Sequence, residues 1–189
     1  MKLENEIIDY DENKKDILHW TKLKGEYRYF SIIEFLKGKD INCIWNNVTN
    51  YIKYDKRILI NSFKYIVFLE ELYKSFIIQY SDIEQDKLLK LDFSVTLDKY
   101  LSLKDNANYD GIDLELLKKE KRTINAYRNQ VVHNKIILCD KYEGKTLEET
   151  LKIFIRILPI SYRNGFIEDI NTCSKNLVET LWHIELSNN

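Results

Sequence analysis

Ile58-Leu59-Ile60-Asn61-Ser62-Phe63-Lys64-Tyr65-Ile66-Val67-Phe68-Leu69-Glu70-Glu71-Leu72-Tyr73-Lys74-Ser75-Phe76-Ile77 is the stretch that decides the fold class. Its apolar residues (Ile58, Leu59, Phe63, Ile66, Val67, Leu72, Tyr73, Phe76, Ile77) recur in steps of three and four, the period of an amphipathic α-helix. A strand would alternate apolar and polar residues, and only the short run Ile136-Ile137-Leu138-Cys139 offers a strand candidate. Only 5 Gly and 1 Pro also disfavour a turn-rich sandwich or barrel. The expectation is an all-α, single-domain helical bundle of long antiparallel helices over residues 1–189.

Working outward, local signals divide the chain. Gly25 and Gly38 break the N-terminal third, and Asp40 is a candidate cap for a helix starting near Ile41. Ser81-x-x-Glu84 and Thr146-x-x-Glu149 both fit a capping box, in which hydroxyl and carboxylate satisfy opposite free N–H groups. Lys104 to Gly111 reads as a loop, followed by a helix from Asp113 to about Lys135. Asp140 to Lys145 reads as a second loop, and Pro159 should kink or end the helix begun at Thr146.

Composition narrows the classes of function. Hydrophobic residues at 44% and charged residues at 31% are ordinary for a folded globular chain. An aromatic share of 13%, led by 13 Tyr and 8 Phe, predicts an aromatic-rich core or interface. A formal net charge of −1 excludes a globally basic protein that coats nucleic acid, while leaving room for a local basic patch. Cys43, Cys139 and Cys173 are scattered, and no apolar run approaches membrane-spanning length. With a polar start at Met1-Lys2-Leu3-Glu4, the reading is a reduced, cytoplasmic protein with no membrane partner.

Chemistry concentrates in Tyr127-Arg128-Asn129-Gln130-Val131-Val132-His133-Asn134. A fixed cation, an amide and a side chain that exchanges protons near neutral pH are the groups needed to cleave a phosphodiester without a metal. On a helical wheel Leu117, Ile124, Tyr127 and Val131 form the core stripe. With Ile124 at zero, Arg128 falls at about 40°, Asn129 at about 140° and His133 at about 180°. His133 and Asn129 thus face away from the core, and Arg128 borders it with a side chain long enough to reach outward. Lys118, Lys119, Lys121, Arg122 and Lys135 add positive charge along the same stretch.

Arg128 and the polar Asn129, followed after four residues by His133, resemble the Arg-x4–6-His signature of HEPN domains. Phe68 to Phe76 is similar to the Glu-x-x-Lys helix seen in many of them, and the Tyr-Arg-Asn form resembles Abi-like members linked to abortive infection. The likeness covers about Asp40 to the C-terminus, leaving residues 1–39 as a helical extension without a match. It implies a homodimer whose two motifs meet in a cleft, and a metal-independent endoribonuclease acting as a toxin or antiphage effector. In that chemistry the RNA 2′-hydroxyl attacks the neighbouring phosphate. By the likeness His133 is the general acid or base, Arg128 holds the phosphate, and Asn129 orients them. Lys121, Arg122, Lys135 and Arg163 are candidate substrate contacts, and a cognate antitoxin is a further candidate partner. The alternative is a non-catalytic HEPN module that dimerises and binds a partner in a toxin–antitoxin or defence system.

Other stretches carry less. His19-Trp20 and Trp182-His183 lack acidic partners at ligand spacing, so no metal and no cofactor are expected. Phosphate-loop, dinucleotide and nucleophile-elbow patterns are absent. Tyr162-Arg163-Asn164-Gly165 repeats the Tyr-Arg-Asn but reads as a turn after Pro159.

Overall fold

The computed structural model describes residues 2–103 and 109–188, so most of the loop expected at Lys104 to Gly111 lies outside the described residues. The fold is all-α. Among the described residues it has eight α-helices and no strand: α1 (Tyr10–Lys24), α2 (Tyr27–Lys37), α3 (Trp45–Tyr80), α4 (Gln85–Leu88), α5 (Phe93–Leu101), α6 (Leu114–Val132), α7 (Leu147–Ile157) and α8 (Ile160–Asn171).

The opening stretch is the middle of α3, whose 36 residues span about 54 Å. Val48, Tyr51, Ile58, Ser62, Ile66, Leu69, Tyr73 and Ile77 are buried along it at helical spacing. Because apolar residues also flank this stripe, α3 packs against α1, α2, α5, α6 and α8, and forms the central post of the bundle. Lys56 meets Asn134 and Ser62 meets Tyr127, so α6 runs antiparallel to α3. Asn61 reaching Asp169 and Phe68 stacking on Tyr162 set α8 antiparallel on another flank.

The aromatic richness forms a chain of rings through the core. Tyr65 meets Phe166 at 5.0 Å, Phe166 meets Phe154 at 5.2 Å, Phe154 meets Tyr127 at 5.7 Å, and Tyr127 meets Tyr142 at 5.4 Å. These edge-on and tilted contacts tie α3, α8, α7 and α6 together, each adding to simple burial. The N-terminal third shares this core, in that Tyr29, Ile32, Ile33 and Leu36 of α2 are buried in the same cluster as α3 and α6.

Several expected boundaries hold. Gly25 and Gly38 end α1 and α2, Asp113 caps α6 by accepting from the Leu116 N–H at 2.9 Å, and Thr146 and Glu149 complete a capping box. Pro159 stands between α7 and α8.

Others are corrected. Asp40 lies in a left-handed turn (φ 54°) and caps nothing; the first N–H of α3 donates instead to Asp9 Oδ1 at 2.7 Å. Ser81 closes α3, its hydroxyl donating to the Ile77 carbonyl at 2.6 Å, so α4 starts at Gln85 without a side-chain cap. Tyr162 to Gly165 is helical, and the missing side chain of Gly165 lets α8 approach the Tyr65 hydroxyl, only 3.2 Å from where a Cβ would stand. Ile136 to Cys139 pairs with no strand. Its buried N–H groups at Ile137 and Leu138 donate to Asp55 Oδ1 at 2.9 and 2.8 Å, which satisfies backbone that a sheet would otherwise satisfy.

Candidate functional site

α6 carries the Arg128–His133 motif, and its core face is locked. Leu117, Ile124, Tyr127 and Val131 are all buried, and the Tyr127 hydroxyl donates to Ser62 Oγ. Tyr127 therefore packs. The helix ends earlier than the expected Lys135: the Asn134 N–H donates to the Val131 carbonyl and the Lys135 N–H to the Gln130 carbonyl, at 3.1 and 3.0 Å. With Asn134 left-handed at φ 53°, this is a Schellman ending, and His133 is its cap residue.

His133 and Asn129 are exposed, as their wheel positions required. Among the described residues the His133 imidazole has no hydrogen-bond partner. Asn129 Oδ1 accepts from Arg128 Nη1 at 3.3 Å. Arg128 itself is three-quarters covered: its Nη2 meets Glu70 Oε2 at 3.2 Å, and its guanidinium lies 5.4 Å over the Phe93 ring. Its Nε is buried without a partner. In the Phe68–Phe76 segment, then, Glu70 reaches the motif, while Glu71 is exposed. Burial pushes the Glu70 carboxyl up, but hydrogen bonds and charges from Lys74 and Arg128 outweigh it and hold it below the usual range.

The remaining candidates scatter. Lys121 is paired with Asp98 of α5. Arg122 and Lys135 are exposed and have no hydrogen-bonded or ionic side-chain partner among the described residues. Arg163 donates to the carbonyls of Leu158, Gly111 and Arg156 at 3.0, 2.6 and 3.0 Å, stapling the start of α6 to the α7–α8 turn. That staple lies about 30 Å along α6 from His133, so the structure does not bring Arg163 to the motif.

What the motif does adjoin is a basic concavity. Asn134, the residue after His133, accepts from Arg28 Nη2 at its carbonyl (3.1 Å) and from Lys56 Nζ at its side chain. Two adjoining hollows of about 360 and 520 Å³ open on either side of this junction. Lys24, Arg28, Lys53, Lys56, Arg57 and Lys135 line them, with Asp140 as the lone acid at the rim. Among the described residues none of these six cations forms an ion pair with a carboxylate. Sequence reading singled out only Lys135. Lys53, Lys56 and Arg57 show a one-face spacing on α3, but Lys24 and Arg28 join them only through tertiary packing.

Beneath the cleft sits Asp55. Burial raises its carboxyl to about 6, against the lowering effect of the Leu138 and Ile137 N–H groups and of Arg28 and Lys56. Its Oδ2 has no hydrogen-bond partner. Cys43, Cys139 and Cys173 are free thiols, and among the described residues no three His, Cys, Asp or Glu side chains gather as a metal site. No described helix is long and apolar enough to cross a membrane.

Compared with known proteins, the chain matches no protein-family model, no curated protein and no solved structure.

Proposed function

We propose that this chain is a metal-independent endoribonuclease of HEPN type, acting as a toxin or abortive-infection effector. The observation that carries the reading is His133, an exposed imidazole with no hydrogen-bond partner among the described residues, beside Asn129 and next in the chain to Asn134, which lines a cleft of cations that form no ion pair among the described residues. An imidazole so placed can take a proton from a 2′-hydroxyl or give one to the leaving 5′-oxygen, and arginine stabilises charge on the phosphate between them. The products would carry a cyclic phosphate and a 5′-hydroxyl.

A second copy of the chain completes the proposed site. On α3, between the Lys56–Asn134 and Glu70–Arg128 contacts, Ile60 and Phe63 are 56% and 43% exposed, and on α6 Val132 is 36% exposed. Their helical spacing places Ile60 and Phe63 on one face, an apolar strip that suits self-association beside His133. One observation favours the alternative, a non-catalytic HEPN module that binds a partner such as an antitoxin: Arg128 is held by Glu70 instead of reaching solvent.

The test is RNA cleavage by purified protein in excess chelator. Wild type should yield cyclic-phosphate ends, and His133→Ala should lose about 10²- to 10⁴-fold in rate. Dimerisation without any cleavage, unchanged by Arg128→Ala or His133→Ala, would leave the non-catalytic reading in its place.

A further inference from the structure

We propose that the basic cleft beside α6 is a track for a single strand of RNA, with Tyr27 and Trp20 as platforms on which its bases stack. The choice of RNA rests on the ribonuclease reading; the track itself is argued from charge, shape and exposed rings.

Charge comes first. The chain carries a formal −1 overall, yet the cleft gathers six cations against one carboxylate. Arg28 and Lys56 bond there to Asn134, and Arg57 to the carbonyls of Cys173 and Lys175, but these oxygens are neutral, so among the described residues the clustered charge has no carboxylate counterpart beyond Asp140. A phosphodiester backbone supplies counter-charges, with release of condensed counterions as the driving force.

Shape comes second. A third hollow of about 260 Å³ shares Lys24, Ile52 and Lys53 with the middle one, which shares Lys24, Arg28 and Asn134 with the first. The three form one furrow, which passes the end of α6 at Asn134, next to His133, and reaches α1.

The rings come third. Tyr27 lines the first hollow and is 79% exposed, packing against no other ring among the described residues, so its ring faces are open to a stacked base. Trp20 lines the third hollow at 41% exposure, with the Lys24 ammonium 4.7 Å from its ring centre. Exposed rings along a cationic furrow are the recognition chemistry of single strands, whose unpaired bases offer free faces. A duplex keeps its bases stacked inside and gives such rings nothing to hold.

The experiment is fluorescence anisotropy with a labelled uridine homopolymer of about 12 nucleotides, titrated across several salt concentrations with chelator present. Lys53→Glu with Lys56→Glu should weaken binding about tenfold or more at low salt and flatten the log–log salt slope by about 1.4, the loss of two phosphate contacts. Tyr27→Ala should weaken binding at least about fivefold with the slope unchanged, and Tyr27→Phe should restore it. Lys14→Glu with Lys15→Glu, the same charge change on α1 outside the furrow, should act within about twofold. Circular dichroism checks that each variant stays helical. Equal binding by the Lys53/Lys56 variant and wild type, a preference for duplex RNA, or no binding by wild type overturns the track. RNA bound in the furrow but never cleaved overturns the ribonuclease reading alone; cleavage with unaltered KM in the charge-reversed protein overturns the track alone.

Discussion

The two charged regions at the ends of the motif obey opposite rules. Along α6 each cation facing another helix has a carboxylate: Arg128 has Glu70, Lys121 has Asp98, and Lys145 returns to Glu120. Glu70 and Glu120 are correspondingly easy to ionise, Glu120 being held low by its hydrogen bond from Lys145 despite some burial. Around the cleft the cations lack such partners, and the acids there are pushed the other way: burial raises both Asp55 and Asp140, although Arg28, Lys56 and Lys135 pull against it. The lesson is one of division. Charge along α6 joins helices through carboxylates, while cations at the cleft meet neutral oxygens, as Arg28 and Lys56 do at Asn134, and form no ion pair among the described residues.

The largest expected effect tests whether His133 belongs to the second kind. His133→Ala removes an exposed side chain with no partner among the described residues, so thermal stability should change by less than about 0.5 kcal/mol. RNA cleavage should nonetheless fall by about 10²- to 10⁴-fold. A large loss of stability would move His133 into the structural class with Arg128.

Asp55 gives the next effect, read from pH. Its folded carboxyl titrates at about 6 against an ordinary 3.8, so the folded state holds the proton more tightly. That contribution is fully present below about pH 4 and is lost as pH rises to about 6, amounting to about 3 kcal/mol. Denaturant melts should therefore show stability declining across this window, and Asp55→Asn, which keeps an acceptor for Ile137 and Leu138, should remove most of the decline, leaving the smaller part that Asp140 contributes. Glu70 runs oppositely: its lowered carboxyl stabilises at neutral pH, and that contribution fades as pH falls below the usual carboxylate range. A much shallower decline for the Asp55→Asn protein above pH 4, with the acid-side loss retained, would confirm that the two regions carry opposite signs.

How legible all this was depends on how far apart the partners lie in the chain. The start of α6 was readable because Asp113 caps Leu116 three residues on, and the core face of α6 because one period places Leu117, Ile124, Tyr127 and Val131 together. The end was misplaced by a few residues because Asn134 stops the helix through a left-handed turn, a backbone choice that apolar periodicity does not register. Ile136 to Cys139 offered a strand candidate because the acceptor for its N–H groups, Asp55, lies more than eighty residues earlier. The outward face of Asn129 and His133 followed from helical geometry alone. The cleft did not, since its cations come from α1, α2, α3 and the segment after α6, and no local pattern joins them.

Arg128 stands between the two classes, and a double-mutant cycle places it. Arg128→Ala leaves a mostly covered Glu70 with Lys74 as its remaining partner and uncovers the Phe93 ring, so a loss of about 1–2 kcal/mol is expected. The coupling with Glu70→Gln should be about 1 kcal/mol, because both side chains are mostly covered. Cleavage that falls with Arg128→Ala but not with Glu70→Gln would mean that the guanidinium also serves substrate.

The smallest effect is the control for the whole comparison. Lys121→Ala breaks the bridge to Asp98, whose carboxylate is 61% exposed, so water takes over most of what the pair provided. Exposed pairs of this kind contribute about 0.2–1 kcal/mol, and the low end is expected here. If α6 charge is purely cohesive, this variant should also bind and cleave RNA as wild type does, since its ammonium is turned toward α5 and not toward the cleft. A clear loss of RNA affinity with unchanged stability would extend the substrate surface along α6, and the division between the two regions would then fall between Lys121 and Arg128 instead of at Asn134.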